Sequence, residues 1–235
     1  MRGKMSRLTK VILMLLMTVS LGACNGAAAQ NLDGLYLMTR ISGGSLEMAT
    51  YYFHGAAVVR NPVGSTRGLD VQAERAAHPN DVGTFGLQGG QLTLNFPDNN
   101  HQARYEKMNG GFGWDGGIFS PVDIFKPGTT LDGTFTGGNS VGSGAVMASS
   151  DITFNRDGTY SRDSIGTFSS KNSTSEVSGG SQSADRGRYR IDGTALHMTP
   201  NGGKEIVYTT FPWDDGTTGP TPRAVYMGGA MMTRK

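Results

Sequence analysis

The chain has 235 residues with 21 basic and 19 acidic side chains, and four of the basic ones fall within the first ten positions. The body that follows is therefore mildly acidic and mixed in sign, which argues against nucleic acid as a partner. A single cysteine in the whole chain rules out an internal disulfide, so the fold has to hold by packing.

Arg2, Lys4, Arg7 and Lys10 precede an uncharged stretch, Val11–Leu21. It is too short for a transmembrane helix, which needs roughly 20 apolar residues, and it suits the apolar region of a secretion signal. The stretch closes on Leu21-Gly22-Ala23-Cys24, which is similar to the bacterial lipobox. That resemblance implies that residues 1–23 are a lipoprotein signal peptide removed before Cys24. It also implies that the Cys24 sulfur carries a diacylglycerol and that residues 24–31 tether the body to a membrane of the cell envelope. Asn25 stands where an inner-membrane retention signal would place Asp, which points to the outer membrane, facing the periplasm. Ala27-Ala28-Ala29 also fits ordinary signal peptidase, and a cut there would leave a soluble periplasmic protein beginning at Gln30.

Glycine, at 36 residues, is well above its usual share of roughly 7%. Set among short apolar–polar alternations it means turns, and turns at this density mean an all-β body. The body is written twice. Leu32-Asp33-Gly34-Leu35-Tyr36 returns as Leu131-Asp132-Gly133-Thr134-Phe135, and Gly83–Gly89 returns as Gly187–Gly193. Leu92 and Leu94 match Leu196 and Met198, and Trp114-Asp115-Gly116-Gly117 lines up with Tyr226-Met227-Gly228-Gly229. Order and spacing persist together, which is the signature of an internal repeat. The units are residues 32–126 and 131–235, joined by a linker at 127–130, with the boundary in Phe125–Thr130.

Each unit reads as a meander of short strands. Tyr51–Phe53 and Ala56–Arg60 flank His54-Gly55, and Ile152–Phe154 and Thr159–Ser161 flank Asn155-Arg156-Asp157-Gly158. Tyr189, Ile191, Leu196 and Met198 alternate with polar residues around Asp192-Gly193-Thr194, a strong hairpin signal. Val71–Ala77 reads as a short helix, with Asp70 as its cap and Pro79 just beyond its end. Two segments of the second unit, Thr136–Ser150 and Ser164–Ser183, are so rich in Gly and Ser that they read as loops, the latter a mobile one.

Phe154–Tyr160 (FNRDGTY), Gly187–Gly193 (GRYRIDG) and Leu196-His197-Met198 resemble bacterial lipocalin-like domains, and the resemblance extends more weakly over residues 32–126. Gly34-Leu35-Tyr36 and Gly133-Thr134-Phe135 stand where lipocalins carry Gly-x-Trp, and Arg234 stands near the position of their closing Arg. The resemblance implies two tandem small barrels or curled sheets, separate or packed as one pseudo-symmetric unit, in a family whose functions are mostly unknown.

Motif matches to catalysis fail their context. Gly138-Asn139-Ser140-Val141-Gly142 fits the nucleophile elbow, which needs a helix after it, and none is patterned there. Gly111–Gly116 (GFGWDG) fits a dinucleotide loop but is followed by strand residues Ile118 and Phe119. His54, His78, His101 and His197 are dispersed without metal-ligand spacing, with His54 and His101 expected in turns and His197 facing outward on a strand. Asp98-Asn99-Asn100 reads as a hairpin turn, and Asp214-Asp215 as a solvated one. Trp114 and Trp213, each before an acidic turn near a strand end, are the candidate ligand contacts, set against ordinary core or rim packing.

The expected function is that of a non-enzymatic envelope lipoprotein without cofactor, metal or catalytic residue. It would be held to the membrane through Cys24 and would bind a small apolar molecule, a glycan or an envelope protein, or serve a structural role. The alternative is an inhibitor of a periplasmic protease or hydrolase acting through one of the long Ser/Gly-rich loops; an enzyme of unrecognised type ranks third. A filled core would favour an interaction module, and a continuous cavity of about 300 Å³ or more a carrier.

Overall fold

The computed structural model describes residues 32–141, 146–171, 176–213 and 219–235. Cys24, the signal sequence and Asp214-Asp215 lie outside the described residues. Among the described residues the body is all-β, in two antiparallel sheets that follow one another along the chain. No described helix is long and apolar enough to cross a membrane.

The first sheet comprises β1 (Gly34–Ser42), β2 (Ser45–His54), β3 (Ala57–Arg60), β4 (Val82–Gln88), β5 (Gln91–Phe96), β6 (Asn99–Arg104), β7 (Glu106–Met108), β8 (Gly111–Trp114) and β9 (Gly117–Pro121). Its order is β6-β5-β4-β3-β2-β1-β9-β8-β7. Between β3 and β4 lies α1 (Val71–Ala77), where the sequence predicts a helix; the Asp70 carboxylate accepts from the N–H groups of Gln72 and Ala73, two donors that the first turn cannot pair internally. The second sheet comprises β10 (Gly133–Val141), β11 (Val146–Phe154), β12 (Thr159–Lys171), β13 (Glu176–Asp192), β14 (Ala195–Pro200), β15 (Ile206–Pro212), β16 (Ala224–Met227) and β17 (Ala230–Arg234), and it closes into an eight-stranded barrel.

The repeat in the sequence is a repeat in space. Gly34 opens β1 at φ 120° and Gly133 opens β10 at φ 123°, each beside a buried leucine, Leu32 or Leu131. Gly83 on β4 and Gly187 on β13 pack against the backbone carbonyls of Asn95 and Thr199, where any Cβ would collide. Leu92, Leu94, Leu196 and Met198 all point into a core. The last correspondence shifts by one residue. The β8–β9 turn is Asp115-Gly116 and the β16–β17 turn is Gly228-Gly229, so Trp114 stands where the barrel has Met227.

The two segments that read as loops are strands. The described residues of Thr136–Ser150 lie on β10 and β11, and those of Ser164–Ser183 on β12 and β13. The β12–β13 ladder runs without a break from Thr159↔Arg188 to Lys171↔Glu176. Barrel pairing, by contrast, ends early: β10 meets β17 only at Phe135 and Thr136, and β13 meets β14 only from Gly187 onward. The outer halves of β10–β13 therefore continue past the barrel as a four-stranded arm. Gly/Ser composition reports the lack of an apolar face to bury; it does not prevent the backbone ladder from propagating.

The chain from Asn31 to Lys235 forms one compact unit. Leu35 and Leu37 on the outer face of β1 pack with Phe211 and Tyr226 of the barrel, whose rings stack at 4.6 Å. Buried hydrogen bonds join the halves as well. Thr194 Oγ1 donates to Gly64 O at 3.0 Å and accepts from Thr66 N at 2.8 Å, and Thr209 Oγ1 donates to Pro62 O. Phe125, at the expected boundary, is fully buried in the barrel core together with Leu131.

A candidate ligand cleft in the first sheet

The two halves differ inside. The barrel is filled by Phe135, Ile152, Phe154, Tyr160, Tyr189, Leu196 and Met198, all buried in one cluster. The first sheet has its own aromatic core, with Phe112 stacked on Phe119 at 4.6 Å and Phe53 edge-on to Phe85 at 5.0 Å. It does not close, however. Among the described residues β6 forms no ladder with β7 or β8. The reason is local: β6 pairs with β5 up to Arg104, and after the single residue Tyr105 the chain runs on as β7, which pairs instead with β8, Lys107 opposite Phe112. In the barrel the same switch of partner falls within one unbroken strand: β15 pairs with β14 up to Thr209 and with β16 from Thr210, whose Oγ1 donates to Tyr226 O at 2.8 Å.

Side chains bridge the open seam. His101 on β6 meets Asp115 at the β8–β9 turn, Nε2 to Oδ1 3.0 Å, and sets its ring edge-on to Trp114 at 5.2 Å. Lower down, Tyr105 stacks on Phe112 at 5.2 Å. Above these contacts a cleft of about 350 Å³ opens into the sheet. Met38, Leu94, Trp114 and Phe119 form its apolar floor, and Arg40, Glu47, Asp115 and His101 its polar rim, with Arg60 and Asn99 on the facing wall.

The rim charges are mutually paired. Arg40 reaches Glu47 at 2.9 Å and Asp115 at 3.1 Å, and the Glu47 hydrogen bond, offset in part by burial, holds the Arg40 guanidinium above its ordinary range. Arg60 is shared between Asp81 and Asp98, both at 2.9 Å, and lies 4.9 Å from the centre of the Phe96 ring. Burial opposes the Arg60 charge, but the two carboxylates outweigh it, and Arg60 in turn lowers Asp98. The cations are thus already neutralised, so the rim offers hydrogen bonds rather than a bare charge. Desolvation raises Tyr51 on the inner wall, which keeps its hydroxyl neutral.

Of the two tryptophans named from the sequence, Trp114 lines this cleft. It is largely buried there and donates its Nε1–H to Leu92 O at 2.8 Å. Trp213 does not join it; it packs against the cluster between the two halves. His101 is a strand residue of the rim and not a turn residue, because the β5–β6 turn is Pro97-Asp98. His54, His78 and His197 each pair with one carboxylate, Asp33, Glu74 and Glu205. Among the described residues no three His, Cys, Asp or Glu side chains gather as metal ligands. Gly138–Val141 is followed by no helix but, after residues outside the described set, by β11, and Gly111–Gly116 is strand and turn.

Sequence reasoning misses a duplicated ion pair. Arg60–Asp81 on the first sheet has a counterpart in Arg162–Asp185 on the barrel, at 2.9 and 2.6 Å, and the two arginine side chains are equally shielded at 25% exposure. The offset of the Gly83/Gly187 match carries Asp81 onto Asp185, so the signal is present in the repeat alignment. Comparison with known proteins adds nothing to this geometry: no family model, no curated protein and no solved structure matches the chain.

Proposed function

We propose that the protein is an exported envelope lipoprotein with a non-enzymatic binding role, in which the first sheet holds the ligand and the barrel is its support. The lipobox-like Leu21–Cys24 supports the export and anchoring; the two-sheet body is in keeping with a lipocalin-like repeat. The observation that carries the binding role is the contrast between a packed barrel and an open sheet with a cleft of about 350 Å³, within the size range of small-molecule sites. An apolar floor under a paired polar rim suits a small molecule with an apolar part and several hydrogen-bonding groups.

The test fills the cleft. Ala49 projects inward from β2 among the lining residues, and Ala49→Trp would occupy the space. With the neutral fluorophore N-phenyl-1-naphthylamine as probe, the natural chain is expected to enhance its emission saturably. Ala49→Trp is expected to lose that enhancement while keeping a cooperative thermal transition. Equal enhancement by both folded chains would sink the assignment of the cleft.

A further inference from the structure

The outer face of the first sheet carries an apolar stripe that the barrel leaves uncovered. Along β1, Leu35 and Leu37 are buried against the barrel, whereas Ile41, on the same face farther along, is 79% exposed. Its direct cross-strand partner Leu46 is 57% exposed. On the other side, Ile118 of β9 pairs with Thr39 and is 50% exposed. The stripe then continues over Gly113 on β8, where the Met108 methyl occupies the space that a side chain would need. Met108 is itself 40% exposed. Four large apolar side chains from β2, β1, β9 and β7 thus form one band on the overhanging end of the sheet. Isolated exposed apolar residues are ordinary, but a contiguous band marks a contact surface.

We propose that this band lies against the lipid surface to which the chain is anchored; the proposal rests on the reading of Cys24 as lipidated. The tether fixes the partner. Gly34 lies ten residue steps on from Cys24, a reach of at most ~35 Å at full extension. Ile41 follows seven strand residues later, about 23 Å away at the strand rise. A body held that closely meets the membrane repeatedly, and the band is within reach of it. On β1 and β2 the charged side chains Arg40 and Glu47 point to the other face and pair with each other, and Glu106, beside Met108 at the β7 end of the band, is paired with Arg104. The hairpin tip beyond is Ser42-Gly43-Gly44-Ser45, with no charge to hold it off the lipid.

The cysteine count makes the test clean. In a lipidated chain the Cys24 thiol is consumed, so Leu46→Cys supplies the one reactive thiol, and Ala76→Cys on the exposed face of α1 supplies a control. Both full-length variants are purified in detergent, labelled with an environment-sensitive nitrobenzoxadiazole maleimide and reconstituted into phosphatidylethanolamine–phosphatidylglycerol vesicles. The expected result is one label per chain. Emission from position 46 should shift to the blue and be lost to a quencher carried on the lipid chains, while position 76 stays unshifted and unquenched. Equal behaviour at the two positions overturns the proposal. So does a label at 46 that is already shielded in a dimer before vesicles are present, since a second copy would then cover the band. Two labels per chain would show a free Cys24, and the proposal would fall with the anchor rather than through the band.

Discussion

Tyr189 shows how a single side chain sets a corner of the fold. Its hydroxyl accepts the Leu131 N–H at 2.8 Å and shares its proton between Leu131 O at 2.9 Å and Asn155 O at 3.0 Å. It thereby ties the start of β10 and the β11–β12 turn to β13. Burial pushes the Tyr189 hydroxyl up from 10.0 to about 12, against the pull of the Leu131 hydrogen bond. An acid whose folded value is raised contributes stability that is complete below the unfolded value and is lost as pH climbs through the folded one. Stability is therefore expected to fall between pH 10.0 and about 12. Tyr189→Phe should make that alkaline slope shallower, the other buried tyrosines keeping their share, and cost about 1–3 kcal/mol at neutral pH, because buried backbone groups at Leu131 lose their partner. Urea unfolding at neutral and alkaline pH measures both, and an unchanged midpoint with an unchanged slope would contradict the corner.

At the scale of elements, legibility follows burial. The hairpins around Asp192-Gly193-Thr194 and Asn155–Gly158 are readable because alternation and turn residues agree there. The helix Val71–Ala77 is readable because its cap and its stop are both written in the sequence. The arm is not readable. Its strands have no patterned apolar face, so the only signal left is composition, and Gly with Ser suggests loops. The open seam is equally hidden: the change of partner from β5 to β8 at Tyr105 depends on pairing between strands, which no local pattern reports. The inhibitor alternative places its action in the Ser/Gly-rich segments, whose described residues are paired strands. Hydrogen exchange tests this directly. Amides of Ser164–Thr167, paired on both sides by β11 and β13, should exchange far more slowly than those of Gly202 and Lys204, exposed residues of the connection between β14 and β15. Exchange at the unprotected rate would restore the loop.

For the whole molecule, duplication followed by divergence accounts for one filled, closed half and one half with a cleft. Both halves keep the opening glycine, the glycine packed on a carbonyl and the shielded Arg–Asp pair. One half then fills and closes, while the other breaks its strand at Tyr105, stays open at a seam and keeps a cleft lined by Trp114, His101 and Asp115. The sequence points to Trp114 through its place before an acidic turn, and by the same rule to Trp213, which the fold uses as packing between the halves. Strand-end position alone cannot separate the two cases, because the difference lies in what the neighbouring half covers. The most direct measurement is native mass spectrometry of the full-length chain as extracted from membranes, beside its Ala49→Trp variant. The natural chain is expected to retain a small molecule that the variant lacks, with both folded and otherwise equal in mass apart from the substitution. An identical adduct on both chains, or none on either, would contradict the assignment of the first sheet as the binding half.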